Sequence, residues 1–401
     1  MRVLVLTETF PTAEHPGRGI FIRAQVTALA GRHEITVLFP RPWLPCIPSR
    51  WLESRARNLE AQTTFTGVLP ATVKRPAYLY VPRNRRVRSR ELAALARREL
   101  FSGGIPYDLI HAHWLSPPGL AAIRAVGDAP IPTVVTAHAG DVYRDLGQAA
   151  YRSTARTVVE RATRIIVVAD YFRAPLEGLG ADPGRMRIIP NGVETRLFRP
   201  MAREATRHAL DLPQEGPLFL FLGNLEPAKG VADIVRAFFS SAPEKARLLL
   251  AGTGSLWADL ERRARHSEGR LILRGWQSHE SVSQYLAAAD CFILPSYGEG
   301  NPVTVLESLC CGTPVIGSAI PALISLIQPG QNGLLVPAGA VSELGSAMRE
   351  IVGRSWDREA ISREAQSRFG WTTVTDQISS VYAEAVAECR TRNGMGTMRR
   401  S

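Results

Sequence analysis

Short apolar runs recur along this chain in two series, and most of them are separated by enough residues to form a helix. Runs that are apolar on both faces are typical of parallel strands that helices cover on both sides. The first series comprises Val3–Leu6, Ile35–Phe39, Leu109–His111, Thr133–Ala137, Ile165–Ala169 and Arg187–Pro190. The second comprises Leu218–Leu222, Leu248–Ala251, Leu271–Leu273, Cys291–Leu294, Val315–Ile316 and Leu334–Val336. The pattern predicts an α/β protein with two doubly wound, Rossmann-like domains.

A segment without a strand pattern, between residues 191 and 217, separates the two series. We therefore predict an N-terminal domain at residues 1–199 and a C-terminal domain at residues 200–365. Residues 366–392 are predicted to be helical and to return to the N-terminal domain, and residues 393–401 to form a disordered tail. The length of 401 residues agrees with two domains, because one domain usually contains roughly 100 to 200 residues.

The composition favours a folded protein without a membrane-spanning segment. Hydrophobic residues make up 45% of the chain and charged residues 21%, which provides enough apolar surface for packed cores. Glu8 interrupts the first apolar run, so we expect no signal peptide. No stretch reaches the roughly 18 uncharged apolar residues that a spanning helix requires. Any membrane contact is therefore expected to be peripheral. The five cysteines lack zinc-like spacing and are expected to be free thiols of a cytoplasmic protein.

The positive charge is concentrated in the first half of the chain. The whole chain has a net charge of +11, whereas residues 1–200 alone contain 28 Lys and Arg against 16 Asp and Glu. One interpretation is contact with an anionic bilayer, to which Trp43-Leu44, Arg50 and Trp51-Leu52 would contribute. The other is a set of solvated arginines with no partner. Nucleic-acid binding is not expected, because basic and aromatic residues do not interleave and no known module is present. Within this basic first half, the densest cluster of arginines comprises Arg83, Arg85, Arg86, Arg88 and Arg90.

The segment from Ser296 to Val303 carries the strongest chemical signal. It follows the apolar run that ends at Leu294, and ligands of parallel α/β sheets bind beyond the carboxyl ends of strands. A helix is predicted from Pro302 to about Cys310, with Asn301 as its N-cap. The N–H groups at this helix start can bind the oxygens of an anion or a sugar; they belong to Gly300, Val303 and Thr304.

Two glutamates flank this helix start. Glu299 lies in the loop, whereas Glu307 lies in the helix beside Val303 and Leu306. A carboxylate among apolar neighbours requires partners. The alternative for Glu307 is an ordinary, partly exposed helix glutamate.

With seven residues between them, Glu299 and Glu307 resemble the E-x7-E signature of retaining GT-B glycosyltransferases, and the chain resembles the GT4-like members of that family along nearly its whole length. The resemblance implies two Rossmann-like domains with a cleft between them and a nucleoside diphosphate sugar as donor. It implies that Glu307 binds the nucleotide ribose and that Glu299 faces the transferred sugar, with catalytic importance. An ionised carboxylate suits paired hydroxyls because it only accepts hydrogen bonds. No DxD pair is present, so neither a metal nor another cofactor is expected.

The N-terminal half extends the resemblance. Gly19 matches the glycine of the loop after the first strand, where the backbone approaches a diphosphate closely. Residues 136–141 resemble the motif T-x-H-G-x-D, which implies that His138 reaches the donor sugar as a catalytic residue. His113 and Asp141 are assigned to the acceptor side. His111 and His113 would share one face of a strand, but no acidic third ligand accompanies them, so a metal site is not expected.

The C-terminal half matches the family with two departures. Residues 223–230 resemble G-R-L-x-x-x-K-G, whose Arg and Lys hold the diphosphate; Lys229 is present, but Asn224 replaces the arginine. Because a charge-assisted hydrogen bond contributes roughly 1.5 to 3 kcal/mol, we expect this replacement to cost about tenfold or more in donor binding or in stabilisation of the leaving group. Pro321 and Ala322 stand where the family has a glycine pair. Trp276 is expected near the nucleotide base.

The resemblance implies hexosyl transfer, with retention, to a glycan or lipid-linked acceptor. Residues 19–25 most resemble enzymes that build bacterial surface polysaccharides, including teichuronic-acid-type enzymes. The alternative is a catalytically weak or non-catalytic GT-B-like protein that binds nucleotides or sugars, a hypothesis that rests on Asn224 and on the missing glycine pair.

Overall fold

A computed structural model of the chain describes residues 1–12, 15, 17–43, 69–81 and 84–398. Part of the segment that we considered for membrane contact lies outside the described residues, as does one member of the arginine cluster. These residues are Leu44, Arg50, Trp51, Leu52 and Arg83. Trp43 is described, and its side chain is exposed.

The chain divides into two compact units. The first unit comprises Met1–Asn191 together with the C-terminal segment that begins at Val374, and the second comprises Gly192–Thr373. The boundary lies before the predicted residue 199 because the chain after Asn191 is bonded into the second unit. The Val193 N–H donates to the Phe369 carbonyl at 2.8 Å, and the Trp371 N–H donates to the Val193 carbonyl at 3.1 Å.

The first unit contains a seven-stranded parallel sheet with the order β4-β2-β1-β6-β7-β8-β9, and β3 pairs separately with β5. The strands are β1 Arg2–Leu6, β2 Glu34–Leu38, β3 Arg41–Trp43, β4 Thr72–Lys74, β5 Ala77–Leu79, β6 Leu109–His113, β7 Thr133–Ala137, β8 Arg164–Val167 and β9 Met186–Ile188. The helices are α1 Ile20–Leu29, α2 Arg85–Phe101, α3 Leu120–Val126, α4 Ala149–Arg161 and α5 Arg173–Glu177. The central strands are buried on both faces because helices cover both, and β6 and β7 are buried along their whole length.

The second unit contains a six-stranded parallel sheet with the order β12-β11-β10-β13-β14-β15. Its strands are β10 Leu218–Leu222, β11 Arg247–Ala251, β12 Leu271–Arg274, β13 Cys291–Leu294, β14 Val315–Ser318 and β15 Gly333–Val336. Its helices are α6 Arg203–Ala209, α7 Val231–Ser241, α8 Trp257–Arg265, α9 His279–Ala288, α10 Val303–Cys310, α11 Pro321–Ile324, α12 Val341–Gly353 and α13 Arg358–Phe369. A last helix, α14, runs from Trp371 to Met398. Two doubly wound, Rossmann-like domains are thereby confirmed.

Each sheet has a switch point, where the strand order reverses. In the first unit β1 lies between β2 and β6, and in the second unit β10 lies between β11 and β13. The loops that follow the strands at a switch point diverge to opposite sides of the sheet and leave a crevice at its carboxyl edge. The loops after β1 and β6, and those after β10 and β13, therefore frame a crevice in each unit.

Two sequence predictions are corrected by the helix ends. Helix α10 begins at Val303, and Pro302, not Asn301, is its N-cap. Pro302 has a ψ of 102°, and its carbonyl accepts hydrogen bonds from the N–H groups of Val305 and Leu306, so its backbone performs the capping role without a side chain. The tail that was predicted to be disordered from residue 393 is helical as far as Met398, because each residue added to an existing helix gains a backbone hydrogen bond.

Helix α14 is attached to the first unit by polar contacts around a buried tyrosine. The Tyr382 hydroxyl lies 2.7 Å from Nδ1 of His111, a residue of β6, and both side chains are fully buried. Glu384 forms ion pairs with Arg164 at 3.2 Å and with Arg187 at 2.7 Å. The C-terminal helix therefore contributes directly to the surroundings of the β6 histidines.

We expect Tyr382→Phe to lower the free energy of unfolding by about 1 to 3 kcal/mol, because it leaves the buried Nδ1 of His111 without its hydrogen bond. Denaturant titration monitored by circular dichroism measures this change. The same substitution at Tyr80, a half-buried residue, is the matched control and is expected to cost less than about 0.5 kcal/mol. Equal stability of the Tyr382→Phe variant and the native protein would contradict the role assigned to this contact.

Candidate active site

Glu307 lies on α10 with its side chain buried and is bonded to a histidine. Its Oε1 lies 2.7 Å from Nε2 of His279, the first residue of α9. Burial raises the pKa of the Glu307 carboxyl, and the hydrogen bond and charge of His279 oppose this shift. The contact uses one carboxylate oxygen, so a ligand hydroxyl can bind to the other. The interpretation of Glu307 as an ordinary exposed helix residue is wrong, because only 4% of the residue is exposed.

His279 was not identified from the sequence. The only local signal is its position after Ser278, which caps α9 by accepting a hydrogen bond from the Ser281 N–H at 3.2 Å. The ring of Phe198 packs against the imidazole in an edge-on arrangement, with ring centroids 4.9 Å apart. Burial lowers the pKa of His279, but the hydrogen bond and charge of Glu307 outweigh it and the net shift is upward.

Glu299 lies in the loop after β13 and binds two donors through the same oxygen. Oε1 accepts from Nζ of Lys229 at 2.6 Å and from Oγ of Ser296 at 2.7 Å. Lys229 ends the loop after β10, so this ion pair joins the two loops of the switch point. An ammonium group has three N–H donors, and Lys229 can hold Glu299 and still bind an anion.

The backbone around Lys229 requires a glycine. Gly230 has a φ of +68°, and a Cβ at this position would lie 2.4 Å from the Pro295 carbonyl oxygen. The close approach lets the Tyr297 N–H donate to the Ala228 carbonyl at 3.0 Å. The loops after β10 and β13 are therefore fixed against each other by backbone contacts as well as by the Lys229–Glu299 pair.

The remaining donor-side candidates line the same edge of the second unit. Asn224 is exposed in the loop after β10, and its carbonyl accepts from the Glu226 N–H at 2.8 Å. Trp276 follows β12, and 59% of it is exposed. Pro321 and Ala322, which replace the family's glycine pair, begin the short helix α11, and Ala322 is buried. Gly300, Asn301 and Thr304 lie on the loop and first turn that carry Glu299 and α10.

In the first unit, Gly19 closes the loop after β1. It caps α1 with a φ of +71°, and a Cβ would lie 2.8 Å from the Thr9 carbonyl oxygen. Any other residue would push the two segments apart. The glycine requirement predicted for this loop therefore has a local steric cause.

His138 lies in a stack of aromatic rings at the carboxyl ends of β6 and β7, in which the histidines are buried and Trp114 and Phe21 are half-buried. Its Nε2 lies 3.1 Å from Nδ1 of His113, and the rings of Trp114 and Phe21 lie 4.8 Å and 5.1 Å from its ring. His111 stacks on His113 with centroids 4.6 Å apart. The β-strand periodicity places His111 and His113 on one face, as predicted, and their neighbours are rings rather than carboxylates.

Burial keeps these histidines neutral. It lowers the pKa of His111 and of His138 to about 3, and together with the neighbouring rings it lowers the pKa of His113 well below its ordinary value. A neutral imidazole has one donor and one acceptor. His138 is therefore equipped to hydrogen-bond a substrate hydroxyl and not to supply a positive charge at neutral pH.

Asp141 fixes the loop that carries His138. Its carboxylate accepts from the His138 N–H at 2.9 Å, from the Leu115 N–H at 3.1 Å and from the Tyr151 hydroxyl. Burial raises the pKa of the Asp141 carboxyl to about 7, although these hydrogen bonds act in the opposite direction. Because Asp141 is 1% exposed, its contacts are those of a residue that positions others.

A cavity of about 320 Å³ in the first unit adjoins this stack through Trp114. Four arginines line it, namely Arg18, Arg75, Arg85 and Arg88, against two carboxylates, Glu8 and Asp145. Glu8 pairs with Arg88 at 3.2 Å, and Asp145 pairs with Arg85 at 3.0 Å. Positive charge therefore exceeds negative charge in this cavity.

Within the described ranges, no cluster of three or more His, Cys, Asp or Glu residues could hold a metal ion. In the same part of the chain, no helix is long and apolar enough to cross a membrane.

Sequence comparison relates both halves of the chain to known families. Residues 17–197 match the model for glycosyltransferase family 4, and residues 216–354 match the model for glycosyl transferases group 1. The chain is 30% identical over 353 residues to TuaC of Bacillus subtilis (strain 168), assigned as a teichuronic acid biosynthesis glycosyltransferase, with 85% of this chain and 86% of that protein covered. It is 31% identical over 328 residues to the D-inositol 3-phosphate glycosyltransferase of Acidothermus cellulolyticus, covering 75% and 72%.

Solved structures with little sequence identity share the fold. Sucrose-phosphate synthase of Thermosynechococcus elongatus has a TM-score of 0.74 and 21% identity, covering 97% of this chain and 100% of that one. The HepE protein of Anabaena in complex with UDP has a TM-score of 0.72 and 18% identity, covering 96% and 100%. These similarities confirm the predicted GT-B fold.

The buried histidines make the stability of the first unit depend on pH. Because their pKa values are lowered on folding from 6.5, the unfolded chain binds more protons below that pH. The contribution of each neutral, buried histidine to the free energy of unfolding is therefore complete above pH 6.5 and is lost as the pH falls toward about 3. The free energy of unfolding falls by up to about 1.4 kcal/mol per pH unit for each histidine. We expect His111→Gln, which removes one such group, to lose stability less steeply than the native protein between about pH 6.5 and pH 4.5. Urea denaturation at several pH values measures the slopes, and equal slopes would contradict this account.

Proposed function

Because the chain belongs to the group 1 glycosyltransferases of family 4, we propose that it transfers a hexosyl unit from a nucleoside diphosphate sugar, with retention of configuration, to a glycan or lipid-linked acceptor. The observation that carries the proposal is a pair of carboxylates, the half-buried Glu299 and the buried Glu307, each bonded to a basic side chain at the carboxyl edge of one sheet. The Anabaena HepE protein, which shares the fold, was solved with UDP and with UDP-glucose.

In this proposal the donor diphosphate is bound without a metal or another cofactor. Lys229 supplies the positive charge, and the N–H groups of Gly300, Val303 and Thr304 supply hydrogen bonds at the positive end of α10. Asn224 supplies neutral donors where the family has arginine. Trp276 is assigned to the base, because it is a large exposed aromatic side chain at the same edge.

The two glutamates are proposed to accept hydrogen bonds from hydroxyl groups of the donor. One oxygen of Glu307 accepts a hydrogen bond from a ribose hydroxyl, while the other is bonded to His279. Glu299 accepts hydrogen bonds from hydroxyls of the transferred sugar, and Lys229 holds the Glu299 side chain in place. Such bonds to a charged acceptor are worth roughly 1.5 to 3 kcal/mol each. Asn301 and Pro302 are assigned to the donor site because their backbone leads into the start of α10.

The transfer is proposed to occur on one face of the sugar. The bond from the anomeric carbon to the diphosphate breaks, the bond to the acceptor oxygen forms on the same face, and the acceptor proton passes to the departing phosphate oxygen. Lys229 stabilises the charge that develops on the diphosphate. His138 hydrogen-bonds the sugar in its neutral form, His113 orients His138, and Asp141 positions their loop.

The acceptor is proposed to carry an anionic group. The arginine-lined cavity of the first unit has surplus positive charge, and its wall residue Trp114 packs against His138. Aromatic side chains in the cavity, such as Tyr78 and Tyr80, suit the faces of a sugar ring. The names of two relatives refer to teichuronic acid and to D-inositol 3-phosphate, both of which are anionic.

A cytoplasmic location with peripheral contact to an anionic bilayer through the first unit is part of the same proposal, motivated by its arginines. Sedimentation with vesicles that contain anionic lipid tests it. Absence of binding at low ionic strength would rule it out.

Glu307→Gln is expected to weaken donor binding about 10- to 100-fold and to reduce transfer at least as much, because a neutral amide replaces the charged acceptor. The measurements are the rise in melting temperature with each nucleoside diphosphate and nucleotide sugar, and transfer from the donor that gives the largest rise. Glu261→Gln, on the exposed face of α8, is the matched control.

Three outcomes of this experiment decide between the candidate functions. Nucleotide binding that depends on Glu307 together with transfer supports the enzyme. Binding without transfer by the native chain favours the non-catalytic binding protein that Asn224 and the Pro321-Ala322 segment suggest. A lack of any shift with nucleotides would contradict both.

Arg18→Ala is expected to raise KM for an anionic acceptor about tenfold, because one charge-assisted bond is lost, and to leave KM for a neutral analogue unchanged. Arg18 is chosen because it lines the cavity and is exposed. Arg98→Ala, on an exposed position of α2, removes the same charge elsewhere in the unit. Equal effects of Arg18→Ala on both acceptors would contradict recognition of an anion here.

A further inference from the structure

The second unit contains a larger cavity, of about 750 Å³, at the amino-terminal edge of its sheet. Its lining includes Gly216, Asp290 and Pro314, which immediately precede or adjoin the starts of β10, β13 and β14. The proposed donor loops follow the opposite ends of these strands. A five-residue strand such as β10 separates the two edges by roughly 15 Å, at about 3.3 Å per residue. This cavity is therefore distinct from the proposed donor site.

The ionisable side chains that line this cavity are strongly unbalanced. They are four arginines, Arg203, Arg207, Arg354 and Arg358, and one carboxylate, Asp290. Asp290 is shared: it pairs with Arg203 and with Arg207, the latter at 2.6 Å, and accepts from the Leu218 N–H at 2.7 Å. One negative charge thus faces four positive charges.

Two of the arginines have a structural role that accounts for their position. Nε of Arg207 donates to the Ala288 carbonyl at 3.0 Å, and Nη1 of Arg358 donates to the Ala289 carbonyl at 2.9 Å, both at the C-terminal end of α9. The negative end of a helix dipole offsets about half a charge. More than two positive charges remain uncompensated among the lining residues. Burial lowers the pKa of Arg358, and the like charge of Arg203 acts in the same direction.

The other two arginines, Arg203 and Arg354, do not bind the carbonyl groups at the C-terminal end of α9. The side chain of Arg203 is 48% exposed. Arg354 is held in place, because Nη2 donates to the Gly330 carbonyl at 2.7 Å and its guanidinium lies 5.0 Å from the ring of Trp356. The Trp356 indole is itself fixed by a 2.8 Å hydrogen bond from Nε1 to the Ile351 carbonyl. An ordered guanidinium can bind a phosphate group, and the aromatic ring beside it can pack against the organic part of the same ligand.

We infer that this cavity binds a soluble, phosphate-bearing small molecule, with the phosphate between Arg203 and Arg354 and the organic part against Trp356. The volume falls within the range of roughly 300 to 1,000 Å³ that is usual for small-molecule sites. Two or more negative charges on one ligand match the surplus of positive charge. The inference is independent of the proposed transfer reaction, since it uses none of the residues assigned to the donor or the acceptor.

The probe is inorganic pyrophosphate, titrated calorimetrically into the full-length chain at low ionic strength. Because pyrophosphate is also expected to bind at Lys229, the experiment uses Lys229→Ala as the background. We expect binding to persist in that variant and to weaken at least tenfold when Arg203→Ala and Arg354→Ala are added. Arg262→Ala with Arg265→Ala, on exposed positions of α8, removes the same charge and is expected to leave binding unchanged.

Three results of the calorimetric titration would overturn the inference. These are no binding of pyrophosphate in the Lys229→Ala background, equal weakening in the α8 control, and no weakening on removal of Arg203 and Arg354. Vesicles of phosphatidylglycerol distinguish a lipid headgroup from a soluble ligand. Retention on vesicles through Arg203 and Arg354 without pyrophosphate binding would assign the cavity to lipid and also overturn the inference. Thermal unfolding of each variant verifies that it is folded.

Discussion

In a parallel sheet every strand ends at the same edge, and the candidate site in each unit depends on this constraint. In the second unit it places the loop after β10 beside the loop after β13, so that Lys229 meets Glu299 although 70 residues separate them. In the first unit it places the ends of β6 and β7 together, so that His113 meets His138. Residues that bear the chemistry are thereby collected at edges that the apolar strands themselves define.

Burial of charge determines how these residues are paired. A carboxylate removed from water is costly unless a cation or several donors compensate it. Glu307 is compensated by His279, Glu299 by Lys229, and Asp141 by two N–H groups and the Tyr151 hydroxyl. The arrangement holds each carboxylate in one orientation before a ligand arrives, which reduces the cost of ordering the site on binding.

Most strands were predictable from the sequence because apolar character on both faces is a local property, and the Glu299–Glu307 spacing is local as well. The contacts of these residues were not predictable. His279 precedes Glu307 by 28 positions and meets it only because α9 packs beside α10. Asp141 was assigned to the acceptor side from the sequence, which did not indicate that its carboxylate accepts a hydrogen bond from the His138 N–H. The arginines of the second unit's cavity come from two segments far apart in the sequence, Arg203 with Arg207 in α6 and Arg354 with Arg358, the latter at the start of α13, so no single motif predicts that they meet.

The central claim is that the loop of Glu299, the start of α10 and the Lys229 loop together form the donor site. Hydrogen–deuterium exchange with and without the nucleoside diphosphate that most stabilises the chain tests this directly, because bound phosphate oxygens protect the N–H groups that contact them. The account predicts protection in peptides that cover residues 223–230 and 296–304. Protection confined to other segments of the second unit, or no protection while the nucleotide is bound, would contradict it.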